Sequence, residues 1–393
     1  MEKRKIPAVR FKGFEDDWEQ RKLGEVTQKF KSGNSLKADK ISESGAYPVY
    51  GGNGLRGYTS TYNHEGEFAL IGRQGALCGN MNYFIGKAYF TEHAVAVEAD
   101  ENNNTRFMYY MLDTMNLGQY SDQSAQPGLA VNKLIKLENM FPKKEEQIKI
   151  ENYFQSIDHL ITLHQRKLEK LQLVKKSMLE KMFPKNGSKI PEIRFEGFAD
   201  DWEQRKLGEV LDDMYNGQTP SRNKSEYWNG NIKWLSSGEL NRGTVYDSIE
   251  MITEDGQKSA NLRIVPKGTF IMAITGLEAA GTRGNCALLG FDTTLNQSCM
   301  ALFPKKDLLT SDFLFQWYRK VGEEYGLNYT QGTKQQSYNA ELIKILPISL
   351  PLVTEQKKIA SYLSNLDHLI TLHQSKLKSL KFIYTFFLGN SVS

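Results

Sequence analysis

The residues of this sequence that could take part in chemistry are a glycine-rich stretch, six histidines and three cysteines. The stretch from Gly52 to Gly57, GNGLRG, matches the GxGxxG pattern letter for letter. In a dinucleotide site a helix begins directly after this pattern, so that its amide groups meet the pyrophosphate. Here the pattern is followed by YTSTYNHEG, which is typical of strands and turns. We therefore expect extended chain and a turn here rather than a dinucleotide site.

The other motifs that mark catalysis are missing from the sequence. It contains neither GxxxxGK[ST] nor HExxH, and no Pro-Pro dipeptide, so the [DNS]PP[YFW] signature of amino-methyltransferases is excluded. Cys78, Cys286 and Cys299 form no CxxC pair, and the histidines have no metal-ligand spacing. The sequence therefore nominates no metal site and no catalytic residue, although a cysteine or serine nucleophile without a motif stays open.

Composition limits the class of protein further. A chain of 393 residues has room for two or three domains, and its net charge of +4 permits an acidic partner without requiring one. An odd number of isolated cysteines indicates a reducing compartment. The first residues lack the apolar core of a signal peptide, and no apolar run is long enough to cross a bilayer. We expect a soluble, cytoplasmic protein without a membrane partner.

Arginine, lysine, asparagine and glutamine side chains cluster in polar, glycine-rich or serine-rich loops. Arginine and lysine bind guanine edges or phosphates, and asparagine and glutamine pair with adenine edges, so this clustering is typical of proteins that read DNA bases. Any single one of these residues is equally well an ordinary solvated loop residue. The candidate DNA-binding residues are Asn53, Arg56, Arg73, Gln74, Gln123 and Gln126 in the first part of the chain, and Arg222, Lys224, Lys233, Arg283, Asn296, Gln297, Lys334, Gln335 and Gln336 in the second.

These residues lie between two pairs of internal repeats. GFEDDWEQRKLGEV, residues 13–26, returns with one change at 197–210, and SIDHLITLHQRKLEKL, residues 156–171, returns as NLDHLITLHQSKLKSL at 365–380. The two variable segments between them, about 27–143 and 211–352, hardly resemble each other and are rich in short strand patterns with Gly and Asn. Shared frames around different inserts predict one scaffold with two specificities.

The shared segments that follow the inserts predict long helices. Apolar residues recur at alternating spacings of three and four from residue 144 to 182, which is the seam of a coiled coil, and the second copy repeats the pattern. His164 and His373 interrupt the seam at matching places. They are either ligands or proton carriers at a helix crossing or, as we favour, polar residues that fix the register. An antiparallel pair of helices with one insert at each end is the simplest arrangement.

The whole chain resembles the specificity subunits of type I restriction-modification systems. The resemblance is carried by the repeated FEGFADDWEQRKLGEV-type start, by YPVYGGNGLRGY and IGRQGALCG in the first insert, and by GQTPSRNKSEYWNGNIKWLSSGEL in the second. EEQIKIENYFQSID and TEQKKIASYLSNLD at the starts of the two helices also match.

This resemblance implies an α+β fold with an internal pseudo-two-fold repeat. The first target recognition domain would span 1–143, a central spacer helix 144–186, the second target recognition domain 187–352 and a C-terminal spacer helix 353–393, with the helices paired as an antiparallel coiled coil. It further implies a non-enzymatic subunit that reads a bipartite, asymmetric double-stranded DNA target and docks two modification (methyltransferase) subunits. S-adenosylmethionine, ATP and Mg would be bound by these and by the restriction (motor-nuclease) subunits. The alternative from another class is a tandem protein-interaction adaptor with a helical spacer.

Overall fold

The computed structural model describes residues 7–75, 77–122, 128–185, 187–279, 281–332 and 336–391. The chain divides into two compact units, of which the first comprises residues 1–166 and 373–393 and the second residues 167–372. Both units combine a β-sheet with helices, so the predicted α+β class and the repeat of two domains are confirmed. The predicted domain boundaries stay a prediction, and each compact unit includes part of each long helix.

The first unit is built on a six-stranded sheet in the order β2-β7-β5-β6-β3-β4. Side chains alternate along β5: Phe68 and Leu70 pack in a cluster on one face, while Ala69 and Ile71 join the main core on the other, together with α1. Its elements are β1 Glu19–Lys22, β2 Thr27–Ser32, β3 Tyr47–Gly51, β4 Gly54–Thr59, β5 His64–Gly72, β6 Met81–Phe90, β7 Ala94–Ala99, α1 Thr105–Thr114, α2 Val131–Leu134 and β8 Glu138–Phe141, followed by α3 Lys144–Lys181.

The second unit holds a five-stranded sheet in the order β10-β17-β14-β15-β12 and a separate three-stranded sheet in the order β13-β11-β16. Helix α5 packs against β14 and β15. The elements are β9 Glu203–Lys206, β10 Leu211–Asn216, β11 Trp228–Leu235, β12 Thr244–Val245, β13 Glu250–Ile252, α4 Glu254–Ser259, β14 Phe270–Ala273, β15 Cys286–Leu289, β16 Thr294–Leu295, β17 Cys299–Pro304, α5 Ser311–Asn328, α6 Ala340–Lys344 and β18 Pro347–Leu350, followed by α7 Val353–Ser391.

The repeated sequence GF-DDWEQRKLGEV forms the same short ladder in both units. Strand β1 pairs antiparallel with β8, and β9 pairs in the same way with β18, so each insert begins and ends on adjacent strands. Trp18 and Trp202 are buried directly before these strands, 4% and 1% exposed. Burial of a large aromatic ring next to the ladder fixes where the insert starts. We name each ladder, together with the buried tryptophan before it, the mount of the insert. Its tryptophans are core residues, as predicted.

A buried polar network joins each mount to the first turn of the following long helix. Arg10 forms a two-bonded ion pair with Glu146 in the first unit, with distances of 2.7 and 2.8 Å, and Arg194 forms the same pair with Glu355 in the second. The neighbouring Gln147 accepts from the amide of Asn104 and donates to the carbonyl of Pro142. A buried charge needs such a partner because an unpaired one is costly. The network therefore ties both helix starts to their units in the same way.

Parts of the two long helices pack against each other within each unit, and in the first unit the order of their contacts is antiparallel. In the first unit the ring of Tyr153 lies 5.8 Å from that of Phe387, and further along the helices Nδ1 of His164 lies 2.7 Å from Nδ1 of His373. One histidine ring therefore donates a hydrogen bond to the other. In the second unit Lys175 of α3 pairs with Asp367 of α7, and Leu171, Val174, Met178, Ile359 and Leu366 share one core.

The GxGxxG stretch forms the turn after β3 and the first part of β4, as expected from the residues that follow it. Gly51 and Gly54 face each other across the hairpin, and Gly54 adopts a φ of 91° at the turn. This backbone conformation suits glycine because it lacks a Cβ. No helix begins there, so the geometry of a dinucleotide-binding turn is absent from this part of the described chain.

Candidate nucleic-acid interface

Each unit presents two loops that lie side by side. The first loop follows the central strand of the sheet and spans 73–80 in the first unit and 274–285 in the second; we name it loop A. Its ends are closed in the same way in both units, because Gly72 N donates to Asn80 O at 2.8 Å and Ala273 N donates to Asn285 O at 2.9 Å. Loop A is thus the same structural feature in two different sequences.

The second loop, which we name loop B, precedes the short helix α2 or α6 and spans 121–130 or 329–339. In the first unit Leu129 N donates to Arg73 O at 2.9 Å, and Gln74 forms an isolated bridge with Gly128. In the second unit Tyr338 N donates to Ile274 O at 2.8 Å, and Thr275 forms a bridge with Ser337. Backbone hydrogen bonds therefore hold loops A and B together in both units.

Glycine contacts fix the return of loop A. Gly79 has a φ of 88°, and a Cβ placed on it would lie 2.3 Å from the backbone nitrogen of Gly118. In the second unit Gly284 has a φ of 70° and lies against Gly322 of α5, where a Cβ would lie 2.9 Å from backbone atoms. Only glycine fits such a close approach of two backbones. These four glycines are not evident from the sequence, because the spacing between the members of each pair differs between the units.

The predicted residues of the first unit fall in two places. Asn53 and Arg56 are exposed on the β3–β4 hairpin, and Gln74 is exposed on loop A. Arg73 is half-buried, and its side chain donates to the carbonyl oxygens of Leu129, at 3.2 Å, and of Glu92, at 3.5 Å. Arg73 therefore ties loop A to loop B. The predicted residues Gln123 and Gln126 lie outside the described residues.

Three predicted residues of the second unit surround the three-stranded sheet and are already engaged. The Arg222 guanidinium lies 3.7 Å from the centre of the Trp228 ring and forms an ion pair with Glu250, which raises the pKa of the arginine and lowers that of the carboxyl. Lys233 pairs with Asp247, and Lys224 donates to the hydroxyl of Tyr227. DNA would have to compete with these partners.

The remaining predicted residues of the second unit lie in or near its loops A and B. Arg283 donates from Nη2 to the carbonyl of Glu278 at 2.8 Å, and Gln336 N donates to the Glu278 carboxylate at 3.3 Å. Asn296 accepts from the amide of Ser298, and Gln297 accepts from the hydroxyl of Thr219. Lys334 and Gln335 lie outside the described residues. The structure thus brings Arg283 and Gln336 together, and keeps Arg222, Lys224 and Lys233 on another part of the unit.

One arginine beside loop A was not among the predicted residues. Arg242 precedes β12, and its Nη2 donates to the carbonyl of Arg283 at 2.5 Å while its Nε donates to the Asn285 side chain at 3.3 Å. The Asn-Arg-Gly triplet around it indicates a turn. Nothing in the sequence places this turn, some forty residues before the loop, against loop A.

The described residues hold neither an activated cysteine thiol nor a cluster of metal ligands. Burial raises the pKa of the Cys286 thiol to about 12 and also raises the pKa of Cys299 and Cys78, so these thiols are not activated as nucleophiles. Within the described ranges, no group of three or more His, Cys, Asp and Glu side chains is placed to hold a metal ion. No helix in the described part of the chain is long and apolar enough to span a membrane.

Comparison with known proteins places this architecture in one family. The family model described as "Type I restriction modification DNA specificity domain" matches residues 15–173 and 199–381. The Type I restriction enzyme EcoprrI specificity subunit of Escherichia coli is 45% identical over 154 residues, which is 38% of either chain. The chain thus aligns with well under half of that relative's length. A putative type I restriction enzyme specificity subunit of Haemophilus influenzae is 25% identical over 373 residues, 91% of this chain and 89% of the relative.

Solved structures support the fold. A type-I restriction-modification system S subunit from M. genitalium aligns with a TM-score of 0.70 over 98% of both chains, at 15% sequence identity. At this identity the likeness concerns the fold. It covers both units of the present chain.

Proposed function

This chain belongs to the type I restriction-modification DNA specificity family, and from that premise we propose that it reads a bipartite, asymmetric double-stranded DNA target, one half with each unit. In this proposal loops A and B of each unit, the β3–β4 hairpin and the neighbourhood of the three-stranded sheet contact the DNA. The fifteen candidate residues named from the sequence stay part of the proposal, with Arg73 as a residue that positions loop A.

The observation that carries the proposal is the combination of one mount with two inserts. Both units use the same β-ladder, the same buried arginine–glutamate pair and the same bridge between loops A and B, whereas the exposed residues of these loops differ. An adaptor for one kind of protein would not need two different surfaces on identical mounts. Different surfaces in equivalent positions suit two different half-sites.

The long helices supply the spacing in this proposal. We propose that α3 and α7 pair as an antiparallel coiled coil and set the distance between the half-sites. The contacts between Tyr153 and Phe387 in the first unit and between Lys175 and Asp367 in the second agree with this arrangement. In the first unit the contacts of residues 153 and 164 with residues 387 and 373 follow an antiparallel order along the two helices.

Each helix also carries exposed leucines where modification subunits could dock. Leu160 and Leu163 of α3 are 40% and 38% exposed, and the equivalent Leu369 and Leu372 of α7 are both 40% exposed. Apolar side chains exposed at equivalent positions of both repeats suit two copies of one partner. We propose that each pair receives one modification subunit, that these subunits bring S-adenosylmethionine, and that restriction subunits bring ATP and Mg. The chain itself would be a cytoplasmic recognition subunit without its own catalytic site.

An exchange of inserts tests the two-half-site proposal. When residues 27–143 are replaced by the corresponding insert of another family member, the first half of the methylated sequence should change and the second should stay. Sequencing of the methylated sites in cells that carry the modification subunits measures this. The reciprocal exchange of 211–352 is the matched control and should change the second half alone. A change of both halves in either exchange would contradict independent reading.

A measurement of salt dependence separates this proposal from the protein-interaction adaptor. Contacts with phosphates make the logarithm of DNA affinity fall linearly with the logarithm of salt concentration. We expect this behaviour for the chain in complex with its modification subunits. A complex whose binding to target DNA is insensitive to salt, or absent, would favour the adaptor.

The docking surfaces are tested by paired substitutions. Leu160→Glu with Leu163→Glu should leave the chain folded, since these side chains are partly exposed, but should reduce the number of bound modification subunits from two to one. Leu369→Glu with Leu372→Glu is the matched variant for the other surface and should have the same effect. Native mass spectrometry counts the subunits. Two subunits bound to either variant would show that the leucines are not the docking sites.

A further inference from the structure

Arg242 adopts a backbone conformation that is unfavourable for an arginine. Its φ is 59°, in the left-handed region. The other non-glycine residues with positive φ among the described residues are all asparagines: Asn116, Asn229 and Asn261. Asparagine tolerates this region because its short side chain bonds to the nearby backbone, whereas a long side chain strains it. Strain of this kind persists where the side chain has a task.

The side chain of Arg242 contacts loop A of the second unit. Its backbone nitrogen donates to the carbonyl of Cys286 at 2.9 Å, and its Nη2 and Nε donate to Arg283 and Asn285 as described above. These bonds use two of the five donors of the guanidinium. The Nη1 group forms no hydrogen bond with any described residue. The Nη1 group of the guanidinium is therefore available to a ligand.

Arg242 and Arg283 also differ from the other arginines of the second unit in their charge partners. The unit contains seven arginines, all described. Only Arg242 and Arg283 lack a carboxylate partner among the described residues. The other five are paired: Arg194 with Glu355, Arg205 with Glu203, Arg222 with Glu250, Arg263 with Asp213 and Arg319 with Asp367.

Both unpaired arginines are half-buried, and the guanidinium of Arg242 lies on the backbone carbonyl of Arg283. The Nε of Arg283 is buried and has no hydrogen-bond partner. A guanidinium stays protonated at every physiological pH, so two of them held without counter-charges create a local excess of positive charge. An anion with several acceptor oxygens would satisfy the Nη1 donors of Arg242 and neutralise this positive charge.

We propose that Arg242 and Arg283 together bind one phosphate of the DNA backbone beside loop A of the second unit. This inference rests on the proposed function and assigns Arg242 a role in it. A phosphate offers acceptor oxygens to two guanidinium forks but carries no sequence information. Arg242 therefore sets where loop A lies on the DNA, while the exposed side chains of loops A and B read the bases.

Salt dependence of DNA binding tests the proposal. The chain in complex with its modification subunits is titrated onto its methylation target at several salt concentrations. Arg242→Asn keeps a residue that tolerates the positive φ and removes the guanidinium. The slope of log affinity against log salt should become shallower by less than about 0.9, the value for one whole phosphate contact, because Arg283 still holds the phosphate. The methylated sequence should stay unchanged, because no base contact is lost.

Three further variants complete the test. Arg283→Gln should reduce the slope by a similar amount, which covers the case that Arg242→Asn fails to fold. Arg242→Lys keeps the charge and should keep most of the slope. Arg263→Gln is the matched control, since Arg263 is already paired with Asp213 at 2.7 Å, and should leave the slope unchanged.

Two results would overturn the inference. A folded Arg242→Asn complex with the wild-type slope would show that the arginine does not contact phosphate. A changed second half-site would show that it reads bases instead. If the wild-type complex itself shows no salt-dependent binding to its target, the proposed function fails, and the outcome is separate from that of the arginine variants.

Discussion

The same aspartate has opposite surroundings in the two units. Asp158 of α3 and Asp367 of α7 are equivalent in the repeated sequence. Asp367 is held by two cations, Arg319 and Lys175. Asp158 instead accepts a hydrogen bond from the Tyr110 hydroxyl at 2.6 Å. A duplicated residue has thus kept its place while its partners changed.

The replacement of partners follows the repeat position by position. Lys175 of α3 corresponds to Tyr384 of α7 in the repeated sequence, and Tyr384 lies near Asp158. Burial raises the pKa of Asp158 above its ordinary value of 3.8. Burial also acts to raise the pKa of Asp367, but hydrogen bonds and charge from Arg319 and Lys175 outweigh it, so that this pKa is lowered. Sequence identity at a position therefore does not fix the electrostatics of that position.

The largest expected effect concerns what the two units share. Arg10→Ala and Arg194→Ala each leave a buried glutamate without its cation, and each should lower the free energy of unfolding of its own unit by about 3–5 kcal/mol. Denaturant unfolding followed by hydrogen exchange in each unit measures the loss. Equal losses would confirm that the mounts are equivalent. A loss of unfolding free energy below about 1 kcal/mol in one unit would show that the two arginine–glutamate pairs are not equivalent.

A smaller effect is expected at the glycine contacts of loop A, which are closer in the first unit than in the second. Gly79→Ala places a Cβ 2.3 Å from a backbone nitrogen, and Gly284→Ala places one 2.9 Å from backbone atoms. Both variants also strain a positive φ, so each should destabilise its unit by about 2–4 kcal/mol, Gly79→Ala more than Gly284→Ala. Thermal unfolding ranks them. Gly75→Ala is the control, because nothing lies within 4 Å of its Cβ and only the strain of φ remains.

The smallest effect separates the two aspartates. Asp367→Asn leaves Lys175 and Arg319 unpaired and should cost about 1–3 kcal/mol at pH 7, a range reduced from that of a fully buried pair because the site is partly exposed. Asp158→Asn resembles the protonated acid that its site favours and should be neutral or slightly stabilising at pH 7. Denaturant titrations of both variants against the wild type measure the difference.

The pH dependence of the wild type should have opposite signs at these two sites. Because the pKa of Asp367 is lowered by folding, its stabilisation is present above the ordinary value of 3.8 and is lost as the pH falls through the folded pKa. Because the pKa of Asp158 is raised, its stabilisation is present below 3.8 and is lost as the pH rises through the folded pKa. Identical pH profiles for Asp158→Asn and Asp367→Asn would contradict this assignment.

The sequence predicts the parts of this fold that follow from local pattern. The apolar spacing predicts a helix over 144–182, and the helix observed is Lys144–Lys181. The repeated tryptophans were expected in the core, and both are buried. The residues after GxGxxG predicted strand and turn, and a β-hairpin is found. In each of these cases the signal lies within a few residues of the feature.

The sequence does not predict features that depend on distant contacts. The pairing of Arg222 with Glu250 joins residues that only the three-stranded sheet brings together. The contact between Gly284 and Gly322 depends on how α5 packs on the sheet, and the conformation of Arg242 depends on loop A. Charge and residue type identified candidate side chains, but whether a side chain is free, paired or used for positioning is a property of the tertiary structure.

The ladders at the base of each insert have a consequence for chain connectivity. Lys22 pairs with Glu138 and Lys206 pairs with Pro347, so the β-ladder brings the two ends of each insert together and closes the insert into a loop. The loop formed by the second insert is longer by 25 residues, yet the entropic cost of closing a loop grows only with the logarithm of its length. The difference amounts to about 0.2 kcal/mol. The stability of the β-ladder therefore depends very little on the length of the insert. Inserts can thus be exchanged or enlarged in evolution without a change in the fold of the ladders and the long helices.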